Sequence, residues 1–102
     1  MKKIIGVFVL SILSSFIFAQ DPLKVFAAYA TAIEEPWDGV IHVALLKAQE
    51  AGQITYEFVD EIGYSGDMER ILRETAEDSG PAIIFGDAFG NEEAVRRVAT
   101  DY

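Results

Sequence analysis

No cysteine occurs anywhere in the 102 residues. That excludes disulfides and thiolate metal sites. It also excludes a lipid-bearing cysteine at the end of an export signal. Cationic side chains are scarce, with 8 Lys and Arg against 17 Asp and Glu and a formal net charge of -9. So acidic a surface argues against nucleic acid and anionic membranes as partners. There is one histidine and no glycine-rich Gly-x-Gly-x-x-Gly run. His42, with no partner cluster in the sequence, reads as a surface residue. No Ser-His-Asp, metal or general-acid constellation can be assembled, so the expectation is a protein that is not an enzyme and holds neither metal nor cofactor.

What is present falls into two unlike parts. The first, "MKKIIGVFVLSILSSFIFA", has the basic pair Lys2 and Lys3, an apolar run over 4–13, and a continuation through "SSFIF" to Ala19. This layout predicts a secretory signal peptide over 1–19, cleaved after a small residue; a membrane anchor is the other reading of such a stretch. The expected destination is the periplasm of a Gram-negative bacterium, or free secretion.

Residues 20–102 read as three strand–helix repeats. "LKVFAAYA" (23–30) is a β-rich apolar run suited to a strand buried on both faces. From 38 to 51, Ile41, Ala44, Leu45 and Ala48 recur with helical spacing, and Gly52 follows as a C-terminal stop. "ITYEFV" (54–59) alternates as a strand. Asp67 is a candidate N-cap for a helix carrying Met68, Ile71, Leu72, Thr75 and Ala76, which Gly80-Pro81 ends. "AIIFG" (82–86) is a third buried strand. Asn91 is a candidate cap for a last helix with Glu92 and Glu93 in its first turn and Ala94, Val95, Val98 and Ala99 on its core side. Alternating β and α units imply right-handed crossovers and a parallel sheet. The fold class expected is therefore α/β, a three-layer βαβαβα arrangement with strand order 2-1-3.

In such a sheet, ligands bind beyond the carboxyl ends of the strands where the strand order reverses. The loops there are 31–38 and 86–91, with Glu34, Glu35, Trp37, Asp38, Asp87, Phe89 and Asn91. Trp37 is the only tryptophan. It has two readings, a cap on the core or a ligand-facing ring, and its place in the loop favours the second. Asp38 reads as an N-cap or as a ligand acceptor, and Phe89 as packing under the sheet edge or as a stacking surface. Pro36 suits a turn or the first helical position, and Glu34 and Glu35 read as solvated. A flat heterocycle stacking on Trp37 or Phe89, with Asp38 and Asp87 accepting hydrogen bonds, suits a neutral nucleoside, base or sugar. The lack of Lys and Arg disfavours a phosphorylated ligand.

The segments "LKVFAAYATAIEEPWDGVIHVALLKAQEAG", "DMERILRETAED" and "IIFGDAFGNEEAVRRVATDY" resemble the N-terminal lobe of the basic membrane protein (BMP) family. These are PnrA-like substrate-binding proteins of ABC transporters with a periplasmic-binding-protein type I fold. The resemblance spans residues 23–102, and its most telling pieces are Phe89-Gly90 leading into "AVRRVA" and the helix motif Asp67-x-Glu69-Arg70-x-Leu72. It implies capture of a purine nucleoside or base between two lobes and delivery to a membrane permease, with Trp37, Asp38, Asp87 and Phe89 facing the ligand. It also implies that 20–102 is a truncated first lobe, with half the cleft to come from elsewhere. The family's first loop commonly runs Gly-x-x-x-Asp-x-Gly-Trp; alignment through His42 and Lys47 puts Asp38, not Trp37, at its aromatic position, and Ala88 stands where Ser or Thr is common. Two rivals carry less. A receiver-like or flavodoxin-like signalling domain would use Asp87 as phospho-acceptor, but strand 1 lacks a terminal acidic pair. A small exported enzyme would use Asp38 and Asp87 as an acid–base pair.

Overall fold

The computed structural model describes residues 21–78 and 80–102. The expected signal peptide over 1–19 lies outside the described residues. Strands β1 (Leu23–Ala28), β2 (Ile54–Val59) and β3 (Ile83–Gly86) form one parallel sheet in the order β2-β1-β3. Helices α1 (Pro36–Glu50), α2 (Asp67–Asp78) and α3 (Glu92–Asp101) make the crossovers and the final segment. The register runs from Leu23 opposite Ile54 to Ala28 opposite Val59 on one side, and from Val25 opposite Ile83 to Ala28 opposite Gly86 on the other.

The pleat of β1 sorts the core into two halves. Val25, Ala27 and Tyr29 join Tyr56 beneath α1, with Leu45, Leu46, Ile33 and Ile54 around them. Ala28 and Ala30 lie on the opposite face with Ile62, Met68, Leu72 and Val98, against which Phe26, Ile71, Ile84 and Val95 pack. Side chains alternate faces along a strand, so one helix covers one face and two cover the other. This is the three-layer α/β architecture read from the alternating pattern.

Several local expectations are corrected. The first strand ends at Ala28 rather than Ala30. Beyond it, residues 29–31 are tied to the loop after β2: the N–H groups of Glu61, Ile62 and Gly63 donate to the carbonyls of Thr31, Tyr29 and Ala30 at 3.1, 3.1 and 2.9 Å. Helix α1 starts at Pro36, with Glu35 at the N-cap and no side-chain cap bond. Asp38 is thus inside the first turn and not the cap, where its charge still complements the helix dipole.

The inward face of α1 also differs from the expected stripe. Leu45 and Ala48 are half-buried, but Ile41 and Ala44 are exposed, along with Val40 and Val43, while Asp38 is buried and His42 half-buried. Two polar anchors, Asp38 and His42, set the rotation of the helix, and a periodicity of apolar residues cannot register them. Asn91 sits at the N-cap of α3 without a side-chain cap bond; its Nδ2 donates to the Gly63 carbonyl at 3.0 Å instead. Ala99 is exposed rather than inward. β3 is covered on one face only, because Ile83 and Phe85 stand open on the α1 side.

Gly39 fixes how closely α1 approaches the loop before it. A Cβ there would stand 2.6 Å from the Ile33 carbonyl oxygen. Any side chain at this position would push the first turn of α1 away from residues 31–33.

Candidate binding cleft

A cleft of about 550 Å³ opens between the start of α1 and the end of β3. It lies beyond the carboxyl ends of β1 and β3, where the strand order reverses, as expected for an open α/β sheet. Trp37, Asp38, Asp87 and Phe89 all line it, together with Tyr29, Pro36, Val40, Ile41 and Phe85. Glu34, Glu35 and Asn91 do not. No Lys, Arg or His is among the lining residues.

The two aromatic rings form an open wedge at its mouth. Trp37 is 70% exposed and Phe89 73% exposed. Their centroids are 6.3 Å apart at an interplanar angle of 55°. Neither ring is a core side chain: Trp37 does not cap the core, and Phe89 does not pack under the sheet edge.

The two acids are held quite differently from the rings. Asp38 is only 3% exposed. Its Oδ2 accepts from the Thr31 N–H at 3.0 Å and from the Thr31 hydroxyl at 2.7 Å. Residues 29–33 are themselves pinned, by the bonds to the loop after β2 and by the Ile33 N–H donating to Asp60 Oδ2 at 3.0 Å. The chain therefore presents two fixed donors to one buried carboxylate. Asp87 leaves β3 with its N–H donating to the Ala28 carbonyl at 3.0 Å, and its Oδ1 accepts from the Phe89 N–H at 3.1 Å. This last bond closes a local turn that aims Phe89 outward. Burial raises the Asp87 carboxyl above the usual aspartate range; the Phe89 N–H opposes the rise, and the charge of Asp38 adds to it.

Behind the cleft runs a buried polar chain that the sequence did not announce. Tyr29 and Tyr56 hydroxyls are 2.7 Å apart, and His42 Nδ1 lies 3.0 Å from the Tyr56 hydroxyl. The His42 ring stands edge-on to Phe58 at 4.7 Å. The expectation that His42 is a surface residue is therefore corrected: it ties α1 to β2. Burial pushes the Tyr29 and Tyr56 phenols above the ordinary tyrosine range; their mutual bond lowers that of Tyr29 and raises that of Tyr56 further.

Thr31 was missed as a functional neighbour because nothing in its local sequence marks it as Asp38's clamp. Val40, Ile41 and Phe85 were assigned to the core or left aside because apolar residues carry no sign of exposure. Among the described residues, no helix is long and apolar enough to cross a membrane, and no three His, Asp or Glu side chains gather as a metal-holding group. Neither a scan against protein-family models nor a search of curated proteins finds a match for this chain.

Proposed function

We propose that this chain is a ligand-binding lobe of an exported ABC-transporter solute-binding protein, which takes a purine nucleoside or a related base or sugar and hands it to a membrane permease. The observation that carries the reading is the open Trp37–Phe89 wedge standing over Asp87 at the carboxyl end of β3. A planar base enters such a wedge by offset or tilted stacking, an interaction worth roughly 0.5–1.5 kcal/mol beyond area burial. The carboxyl groups beneath accept from amino, ring N–H or hydroxyl donors. Among the described residues the cleft is lined by no cation for a phosphate, which supports an uncharged ligand. The resemblance of residues 23–102 to the BMP family supplies the transport context. The receiver-like alternative finds less support, since β1 runs out into Tyr29 and Ala30 and Asp38 is already engaged by Thr31.

The test is intrinsic tryptophan fluorescence of the purified protein titrated with adenosine, guanosine and ribose. The expected outcome is a saturable change in Trp37 emission with at least one nucleoside, lost in Phe89→Ala. A flat response to all three would sink the nucleoside reading.

A further inference from the structure

We propose that Tyr64, which lies outside the cleft, is a positioning residue that holds the Phe89 ring beside Trp37 and so sets how firmly the cleft grips a ligand; the ligand half of this rests on the nucleoside reading above. Phe89 is exposed and belongs to neither half of the core, so core packing does not fix it. Its own turn supplies one restraint, the N–H bond to Asp87 Oδ1. The rest comes from the loop after β2. Gly90 follows Phe89 with φ +76°, in the left-handed region open to glycine. A Cβ there would meet Tyr64 Cδ1 and Cε1 at 2.6 Å each. The glycine thus lets the Tyr64 ring lie directly on the backbone beside Phe89. One residue further on, Asn91 Nδ2 donates to the Gly63 carbonyl at 3.0 Å. Two successive residues after Phe89 therefore lean on Gly63 and Tyr64.

The support is itself anchored. Ile62 is buried in the core half around Met68. The N–H groups of Ile62 and Gly63 donate to the carbonyls of Tyr29 and Ala30 at 3.1 and 2.9 Å. The Asp87 N–H donates to the Ala28 carbonyl at 3.0 Å. Both loops thus hang from the same end of β1, and Tyr64 stands a single residue from a fixed point.

Space decides what the Phe89 ring does. It borders two hollows: the cleft it shares with Trp37, and a second recess of about 600 Å³ toward the start of α3. Tyr64 is a wall of the second and not of the first. Without that wall the loop settles back toward the recess and carries Phe89 away from Trp37. The contact is made by ring carbons, so a phenylalanine serves as well.

Two measurements decide it. Nuclear Overhauser cross-peaks between the Trp37 and Phe89 ring protons, in the ligand-free protein, read the wedge directly, since the ring centroids are 6.3 Å apart. They are expected to persist in Tyr64→Phe and to be weakened or lost in Tyr64→Ala. The alanine variant keeps its fold, because Tyr64 is exposed and outside the core. Unchanged cross-peaks in Tyr64→Ala overturn the positioning role. Calorimetric titration with adenosine and guanosine then reads the consequence. Tyr64→Ala is expected to weaken binding roughly two- to tenfold, about as much as Phe89→Ala, and Tyr64→Phe to bind as the unsubstituted protein does. In a Phe89→Ala background, Tyr64→Ala is expected to add nothing, because it acts only through that ring. Losses that simply add in the double variant overturn the route through Phe89. Absence of binding by the unsubstituted protein overturns the nucleoside reading, while the ligand-free cross-peaks still decide the positioning role.

Discussion

At the scale of single residues, the cleft separates two kinds of side chain that the loop sequence places side by side. Trp37 is held by little and faces solvent; Asp38, its neighbour, is buried and doubly bonded. Their substitutions separate accordingly. Trp37→Ala and Phe89→Ala are each expected to leave stability within about 0.5 kcal/mol, while weakening nucleoside binding roughly two- to tenfold through lost stacking. Thermal denaturation and fluorescence-independent calorimetric binding check the two halves. Asp38→Ala is expected to cost about 1–3 kcal/mol, because the Thr31 N–H and hydroxyl lose their acceptor; Asp38→Asn, which keeps a carbonyl oxygen there, is expected to cost less. Urea denaturation of the two variants in parallel measures the difference. The sequence exposed the aromatic half of this pair well, since a lone Trp in a ligand-side loop is conspicuous. It concealed the polar half: a buried Asp bound to a Thr seven positions back looks the same, in one dimension, as a helix cap.

At the scale of elements, the chain's alternation of β-rich and helical stretches made the layers and the strand order legible. The rotation of α1 was not. Its apolar residues outnumber the places beneath it, so periodicity alone chose Ile41 and Ala44 for the inward face, whereas Asp38 and His42 occupy it in fact. A helix with polar anchors in the first two turns of its inner side defeats a rule that counts only apolar positions. Gly39 belongs to the same problem. In an isolated helix, Gly→Ala gains up to about 1 kcal/mol. Here the added methyl meets the Ile33 carbonyl at 2.6 Å, and Gly39→Ala is expected to destabilise by about 1–3 kcal/mol, the usual cost of overpacking, and to weaken binding by moving Trp37. Thermal denaturation reads the first effect and nucleoside titration the second. On the opposite face, α2 and α3 are joined by Glu69, which accepts from Arg73 and Arg97. Arg97 first, and then Arg73, holds its carboxyl below the usual glutamate range. Arg97 is exposed and Glu69 and Arg73 are half-buried, and pairs this open to water are screened by salt.

At the scale of the whole molecule, the two faces of the sheet are held by different physics. The α2–α3 side is an apolar core around Met68, which is fully buried. The α1 side contains the Tyr29–Tyr56–His42 chain, and that chain makes a prediction for the protein as a unit. Burial raises both phenols in the folded state. Unfolded tyrosine ionises near pH 10, so the neutral phenols contribute stability that is intact below about pH 10 and is lost as the pH climbs beyond it. Absorbance titration followed together with circular dichroism is expected to show the Tyr29 and Tyr56 phenolates appearing only as the fold is lost. Four tyrosinates forming without loss of the circular dichroism signal would contradict this. The pairing register has a further consequence, in time rather than in space. Of the three described strands β1 is made first and lies in the middle of the sheet, yet its partners on both sides arrive much later, Ile54 onwards for one edge and Ile83 onwards for the other. Pairings so distant along the chain close slowly. As the chain emerges from synthesis, β1 has neither of these two partners until β2 appears. The wedge of Trp37 and Phe89 can be assembled only after β3 and its loop have followed, so both rings wait for the second of β1's two partners.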